Sequence, residues 1–437
     1  MHKIMLAICL SFVCLGASAQ STVGIKLNKS QEGAWTLSYY LSEAVERLQL
    51  VRATIDSRKA RWTPLSDNTM IEFQDGNSFI FKQDSSTFSE VHFSLDTSYI
   101  WLPKDYVPFS SFSDGGMLLH TGRFFACAES CNGSQLEWTI ELKVPENDSI
   151  IVDGNKFVNT ATWNDSDSGQ KVYVGQQQFA QSEQFIFLID PGLPQTLREQ
   201  LLYYVPRLFE YYANKLGATE KKTTLFASYS PTNDGRYGNQ GGVIQNQISM
   251  HWYGDLVAHS PNLNDTFWFF SHEVAHVFQR SAPTDHNHGW IHEGSAELMA
   301  ALSMQSILPG ELDYVANRVN KAINDCESGL TTMKLTEAAS QSRFDLMYSC
   351  GMLINYTIHN AKNDLGKRAD IYQLWLQFQA KVVSGAAADQ RTWLKLISKA
   401  VPNSHYKSIT NFVVPDSLKP FYQLLHHMDF EGSGVVR

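Results

Sequence analysis

The feature that most constrains this chain is a His-Glu-Val-Ala-His string at residues 272–276. Residues four apart lie on one face of a helix, so His272 and His276 would direct two imidazoles at one cation. A metal held by two histidines needs a third protein ligand and an open fourth position for water. Glu293 is the candidate for that ligand. Glu273 would lie close enough to act on the water without binding the metal itself.

Three further histidines follow the string and compete with Glu293 for the metal, namely His286, His288 and His292. No helix is predicted around His286 and His288, so we interpret both as solvated loop residues. A metzincin pattern is excluded, because Gln279 stands where that pattern requires glycine and no histidine follows at the required spacing.

The sequence from Trp290 to Glu297, Trp-Ile-His-Glu-Gly-Ser-Ala-Glu, resembles the ligand helix of the alanyl aminopeptidase and glycyl aminopeptidase families. These are zinc peptidases whose third ligand is a glutamate (gluzincins). The resemblance implies one Zn²⁺ per chain, held by His272, His276 and Glu293. It also implies that Glu297 orients a ligand histidine by a hydrogen bond, as in thermolysin-like relatives.

Two glycines, Gly241 and Gly242, open a strand that is predicted to run from Gly241 to Met250. Glycines let a backbone approach a ligand closely, and an edge strand beside a metal site can bind an extended peptide by main-chain hydrogen bonds. A hairpin turn would explain the same pair. The position just before the metal-binding stretch favours substrate binding by Gly241, Gly242 and Val243.

The same strand resembles the Gly-Gly-x-Glu-His strand of the glycyl aminopeptidases, but Ile244 and Gln245 replace its glutamate and histidine. In those families the glutamate contributes to binding the free amine of the substrate, so the usual basis of aminopeptidase selectivity is missing. Further along, Tyr348-Ser-Cys-Gly351 resembles their Tyr-x-x-Gly helix. That likeness implies that Tyr348 stabilises the oxyanion, with a packing role as the alternative.

Short alternating runs from Met70 onward predict a mostly β domain. The clearest single strand is predicted over residues 137–144, where apolar and polar residues alternate regularly. An earlier helix is predicted over residues 37–48. We therefore expect an α+β protein: a sandwich-like N-terminal domain over 20–190, then a thermolysin-like, mainly helical zinc peptidase domain over 191–437. The aminopeptidase families also place a β domain before the catalytic one.

Residues 1–19 read as a signal peptide with cleavage after Ala19, which predicts a secreted or periplasmic protein without a membrane anchor. The formal net charge of −9 and the lack of any extended basic run argue against nucleic acid as a partner. Four cysteines lie beyond the signal. Their spacing favours disulfides Cys127–Cys131 and Cys326–Cys350, with buried free thiols as the alternative.

Together these features predict an exported zinc metallopeptidase that hydrolyses peptide or protein substrates through zinc-activated water with Glu273 as general base. Two alternatives remain open at this point. One is a catalytically silent binding protein that keeps the gluzincin fold, and the other is a zinc hydrolase that acts on a non-peptide substrate.

Overall fold

The computed structural model describes residues 22–52, 55–102, 105–131, 137–182, 184–219, 221–232, 235–254, 262–279, 284, 288–362, 366, 368–413 and 424. The predicted signal peptide lies outside these residues. So do His286 and, except for residue 424, a helix that the sequence predicts over 417–427. In this part of the chain, every helix is too short or too polar to cross a bilayer.

The first part of the chain is β-rich, as predicted, and forms three sheets. Their strand orders are β14-β11-β1-β2-β7-β4, β10-β3-β6-β5 and β13-β12-β15-β9-β8. The strands are β1 Val23–Lys29, β2 Trp35–Val45, β3 Arg47–Leu50, β4 Trp62–Pro64, β5 Thr69–Gln74, β6 Asn77–Lys82, β7 Phe88–Leu95, β8 Phe109–Ser111, β9 Met117–His120, β10 Ala126–Ala128, β11 Glu137–Lys143, β12 Ser149–Val152, β13 Asn155–Val158, β14 Thr160–Ser166 and β15 Lys171–Gly175.

The helix predicted over residues 37–48 is wrong, because this segment forms β2 and β3. Trp35, Leu37 and Tyr39 are buried while the residues between them are partly exposed, which is the period of two expected for a strand. β2 pairs with β1 on one side and β7 on the other. The apolar residues of this segment also fall at helical spacing, but pairing with β1 and β7 stabilises the strand instead.

A fourth sheet, in the order β16-β17-β18-β20-β19, carries one wall of the candidate site. Its strands are β16 Ala180–Gln181, β17 Phe185–Ile189, β18 Thr223–Ser230, β19 Gly238–Ile244 and β20 Gln247–Tyr253. β18 runs parallel to β17 on one side and to β20 on the other, and β19 is an edge strand that runs antiparallel to β20. Because β17 precedes residue 190 and pairs with β18, the sheet spans the predicted domain boundary. The division at 190 itself stays a prediction.

The single strand predicted from Gly241 to Met250 is instead a hairpin of β19 and β20. Ile244 pairs with Gln247, so Gln245 and Asn246 form the turn. Gln245 has φ of +52°, a left-handed conformation that glutamine seldom adopts, and for this reason the sequence does not signal the turn. The two glycines lie within β19 and not in the turn.

The second part of the chain is mainly helical, as predicted. Helix α2 ends at Leu216 before Gly217, whose φ of +86° suits only glycine well, and Pro206 lies inside it without splitting it. The helices are α1 Arg58–Arg61, α2 Gln195–Leu216, α3 Leu263–Gln279, α4 Gly289–Ile307, α5 Leu312–Gly329, α6 Asp345–Asn360, α7 Ile371–Val383, α8 Gln390–Ile397 and α9 Asn403–Val413.

Helices α4 and α6 cross at two glycines with their backbones in contact. A Cβ added to Gly294 would lie 2.2 Å from the carbonyl carbon of Gly351, and one added to Gly351 would lie 2.6 Å from the Trp290 oxygen. Both positions therefore require glycine. Cys350 on α6 is bonded to Cys326 on α5, and Cys127 is bonded to Cys131, which are the two disulfides that the spacing favours.

Candidate metal centre

The three predicted metal ligands converge at one point. His272 and His276 lie one turn apart on α3, and Glu293 projects from the start of α4. Their Nε2 atoms are 2.9 Å apart, and Glu293 Oε2 lies 3.2 Å from the first and 3.0 Å from the second. Within the described ranges, this is the one group of three metal-ligating side chains whose ligand atoms all lie within 4.8 Å of one another.

Glu297, one turn after Glu293 on α4, lies beside the ring of His272. Its Oε1 lies 3.0 Å from His272 Nδ1, and its Oε2 accepts a hydrogen bond of 3.0 Å from Trp268 Nε1. Burial raises the pKa of this carboxyl, but its contacts with His272 and Arg318 lower the pKa by more than burial raises it, so the group is ionised. An ionised carboxylate only accepts hydrogen bonds, so the proton belongs on Nδ1 of His272.

Gln279 fixes the ring of His276 in the same way. The Ser295 hydroxyl donates to the carbonyl of Ile291 and so accepts from Gln279 Nε2 at 2.9 Å. This orients the amide, so that Gln279 Oε1 faces His276 Nδ1 at 2.8 Å and accepts its proton. Both Nε2 atoms carry lone pairs once His272 has lost the second proton that Glu293 and Glu297 favour in the metal-free protein.

The arrangement therefore points three hydrogen-bond acceptors at one another, and they repel unless a cation lies between them. A tetrahedral zinc site with ligands at about 2.0–2.2 Å places its ligand atoms about 3.3–3.6 Å apart. The observed separations of 2.9–3.2 Å are slightly shorter. Two imidazoles and one carboxylate, with a side left open to a cavity, are the donor set of a catalytic zinc site. The residues present fit the ion.

His292, a rival ligand in the sequence, lies beside this group without joining it. Its ring stacks on that of His276 with centroids 4.3 Å apart, and its Nδ1 is 3.8 Å from Glu293 Oε1. Burial lowers the pKa of His292 to about 4, so its ring is neutral. It packs against a ligand instead of replacing one.

The three residues open onto a cavity of about 860 Å³. Glu273 lies on its wall, where burial raises the pKa of the carboxyl and the two ligand histidines partly offset that rise. The other walls come from all parts of the fold, including Asp105, Tyr106, Ser168, Gln240, Gly241, Gly242, Val243, Thr284, Gly289, His292, Phe344, Asp345, Met347 and Tyr348.

Tyr348 borders the same cavity, with its ring centroid 5.5 Å from that of His272 and its side chain facing the ligand group. Withdrawal from water raises the pKa of the phenol, and the charges of Glu293 and Glu273 raise it further. The hydroxyl therefore keeps its proton and can donate it in a hydrogen bond.

Eight of the nine predicted site residues thus line one cavity, including Gly241, Gly242 and Val243, while Glu297 lies behind His272 and does not line it. Ile244 is not among the residues that line this cavity, and its side chain is buried. Besides Glu273 and Glu293, the carboxylates among the described lining residues are Asp105 and Asp345. Each already binds arginine: Asp105 contacts Arg52 and Arg123, and Asp345 contacts Arg343.

Sequence reasoning missed three residues of the site: Trp268, Gln279 and Tyr106. Trp268 and Gln279 lie four and three positions from a ligand histidine on the same helix, a spacing that could have marked them as orienting residues. Tyr106 comes from the β-rich part of the chain, and no local pattern connects it with the metal centre.

No family model matches the sequence, and neither does any curated protein. Solved structures do match it. An M1 zinc metallopeptidase variant from Deinococcus radiodurans, bound to a Tyr-Ser-Ala substrate, superposes with a TM-score of 0.50 at 14% identity over 92% of this chain and 94% of that one. Yeast LTA4 hydrolase gives a TM-score of 0.50 at 12% identity over 90% of this chain and 68% of that one. The described chain therefore shares the fold of these proteins, with a β-rich part first and a helical part second.

Proposed function

We propose that this chain is an exported zinc metallopeptidase that hydrolyses bonds in peptide or protein substrates. One observation carries the proposal. Two oriented imidazoles and a carboxylate converge within 3.2 Å on the wall of a cavity that Glu273 and Tyr348 also line. The peptidase among the matched structures, which was solved with a peptide substrate, supports the same reaction class.

His272, His276 and Glu293 would hold one zinc, which would polarise the scissile carbonyl and lower the pKa of a coordinated water. Glu273 takes the proton from the attacking water and delivers it to the leaving amine. Burial suits Glu273 to both steps, because a carboxyl with a raised pKa is a stronger base and also a group that can be protonated near neutral pH.

The remaining residues orient and stabilise. Tyr348 donates a hydrogen bond to the developing oxyanion. Glu297 and Gln279 hold the two imidazoles in the tautomer that leaves Nε2 free. Gly241 and Val243 bind the extended substrate by their main chain, and Gly242 between them lets the substrate backbone approach closely.

Two variants test the proposal by separating binding of the metal from turnover. Glu293→Ala should lower the zinc content, measured by elemental analysis after dialysis, because only two ligands remain. Glu273→Gln is a matched control that should keep the zinc and lose peptidase activity by a factor of at least about a hundred, since the base contributes 10²–10⁴-fold in such reactions. Full zinc retention in Glu293→Ala, or full activity in Glu273→Gln, would refute the assignment.

A further inference from the structure

The free edge of β19 presents a defined set of backbone groups. In a hairpin with a two-residue turn, the residues that flank the turn exchange both hydrogen bonds, and pairs then alternate along the ladder. Ile244 with Gln247 is the flanking pair, so Gly242 with Ser249 is also bonded. Gly241 and Val243 consequently direct their N–H and C=O groups away from β20.

These outward groups face the cavity that contains the candidate metal centre, because Gly241 and Val243 both line it. Three of these four outward groups make no hydrogen bond to described residues outside their own sheet. They are the N–H and C=O of Gly241 and the N–H of Val243. Unpaired backbone groups at a sheet edge are a template for an added strand.

The fourth group, the carbonyl oxygen of Val243, is already occupied. It accepts a hydrogen bond of 2.7 Å from the hydroxyl of Tyr106. The phenol lies directly over the strand, since a Cβ on Gly242 would be 2.6 Å from that hydroxyl oxygen. His120, with ring centroids 5.2 Å apart, and Lys171, whose Nζ lies 4.8 Å from the ring centroid, hold the Tyr106 ring in place.

We propose that Tyr106 is a specificity-determining positioning residue that ends the strand-addition site at Val243. A substrate strand can pair with both groups of Gly241 and can accept from the N–H of Val243, but the Tyr106 hydroxyl already occupies the Val243 carbonyl and competes with a substrate N–H for it. This inference rests on the proposed peptidase function, because it concerns how that cavity recognises an extended peptide.

The consequence is a difference between two substrate amides that lie two residues apart. The amide that donates to the Gly241 carbonyl needs its N–H, so N-methylation or proline there should weaken binding. The amide that would donate to Val243 has no acceptor, so the same change there should be tolerated. The same difference is expected for a parallel and for an antiparallel substrate strand. In both cases the two substrate N–H groups that face the Gly241 and Val243 carbonyls lie two residues apart.

The test is an N-methyl scan of a peptide that the protein cleaves. Affinity is measured by calorimetry on zinc-loaded Glu273→Gln, so that binding is read without turnover, and kcat/KM is measured on the active protein for the amides other than the scissile one. With Tyr106 present, we expect one amide at which N-methylation lowers the affinity and kcat/KM about tenfold. At a second amide, two residues away, N-methylation should lower them less than about threefold.

Tyr106→Phe removes only the hydroxyl and frees the Val243 carbonyl. We expect the second amide to become sensitive, by roughly three- to tenfold, while the first is unchanged. Tyr99→Phe is the matched control, because its hydroxyl donates to the side chain of Gln240 at 3.0 Å and not to the edge backbone. Its scan should match that of the parent protein.

The outcomes separate the two proposals. If peptides are cleaved but Tyr106→Phe and Tyr99→Phe both give the parent scan, the role of Tyr106 is refuted and the peptidase function stands. If zinc-loaded protein neither binds nor cleaves any peptide of a broad library, both proposals are refuted. Thermal unfolding and zinc content of each variant show that the fold and the metal site are intact.

Discussion

Replacing Gln279 by leucine removes the acceptor that orients His276, together with the hydrogen bond that Gln279 donates to Ser295. Gln279 is fully buried, and its only polar contact with the ligand group is the 2.8 Å bond to His276 Nδ1. Leucine has a similar size and no acceptor. When zinc occupies Nε2, the proton of His276 must remain on Nδ1, where it would face an apolar side chain.

The size of the effect follows from that unpaired donor. Leaving a buried N–H without an acceptor costs about 1–3 kcal/mol. The metal-free protein avoids this cost, because the proton can move to Nε2 beside Glu293, so the loss falls on the zinc-bound state. At about 1.4 kcal/mol per factor of ten, zinc should bind about 5- to 150-fold more weakly. Loss of other residues that orient metal ligands weakens binding by a similar 10- to 100-fold.

The measurement is the zinc dissociation constant, obtained by competition with a chromophoric chelator at one pH and salt concentration. Gln279→Glu serves as control, because it keeps an acceptor for Nδ1 and should bind zinc at least as tightly as the parent protein. A leucine variant whose affinity is within twofold of the parent would refute the tautomer assignment. So would a glutamate variant as weak as the leucine variant.

Three further predictions concern protons, disulfides and the mode of cleavage. Burial lowers the pKa of His272, but its contacts with Glu293 and Glu297 outweigh burial and raise the pKa well above its ordinary value in the metal-free protein. Zinc must displace that proton, so calorimetry should show proton release and weaker zinc binding at about pH 6 than at about pH 8. Equal zinc affinities at the two pH values would contradict this prediction. Replacing Cys326 and Cys350 together by serine opens a link across 24 residues and should lower the free energy of unfolding by roughly 2–4 kcal/mol in denaturant titrations, whereas four free thiols in the native protein by intact mass would disprove the link. We expect internal cleavage, because a buried ammonium needs a carboxylate partner and the position of that carboxylate holds Ile244; peptides with free N-termini that are cut a hundredfold faster than acetylated ones (about 2.7 kcal/mol) would establish aminopeptidase action instead.

The local part of the metal centre was predictable, because helical spacing alone brings His272 and His276 together and a following helix supplies Glu293. The order of a β-rich part and a helical part was also predictable from the change in hydrophobic period. The C-terminal end of α2 is likewise predictable from Gly217, because glycine readily adopts the left-handed conformation that ends helices.

Other features depend on contacts between distant segments and could not be read locally. Residues 37–48 satisfy both a helical and an alternating pattern, and only the neighbouring strands β1 and β7 select the second. The turn at Gln245 uses a left-handed conformation without glycine or asparagine at that position, so no turn signal marks it. Tyr106 reaches Val243 across 137 positions of sequence, which no pattern in a window can show.

The glycine crossing of α4 and α6 has a consequence for how this protein can diverge. Gly294 directly follows Glu293, and Gly351 lies three positions after Tyr348, so backbone contact sets the separation between the proposed metal ligand and the tyrosine. In most cores that separation would drift as neighbouring side chains are exchanged for larger or smaller ones. Here no side chain lies between the two glycines at the crossing, so mutations elsewhere in the core can accumulate without changing the spacing of Glu293 and Tyr348. Laboratory evolution of new substrate preferences should therefore change the strand and loop walls of the cavity and leave these two glycines fixed.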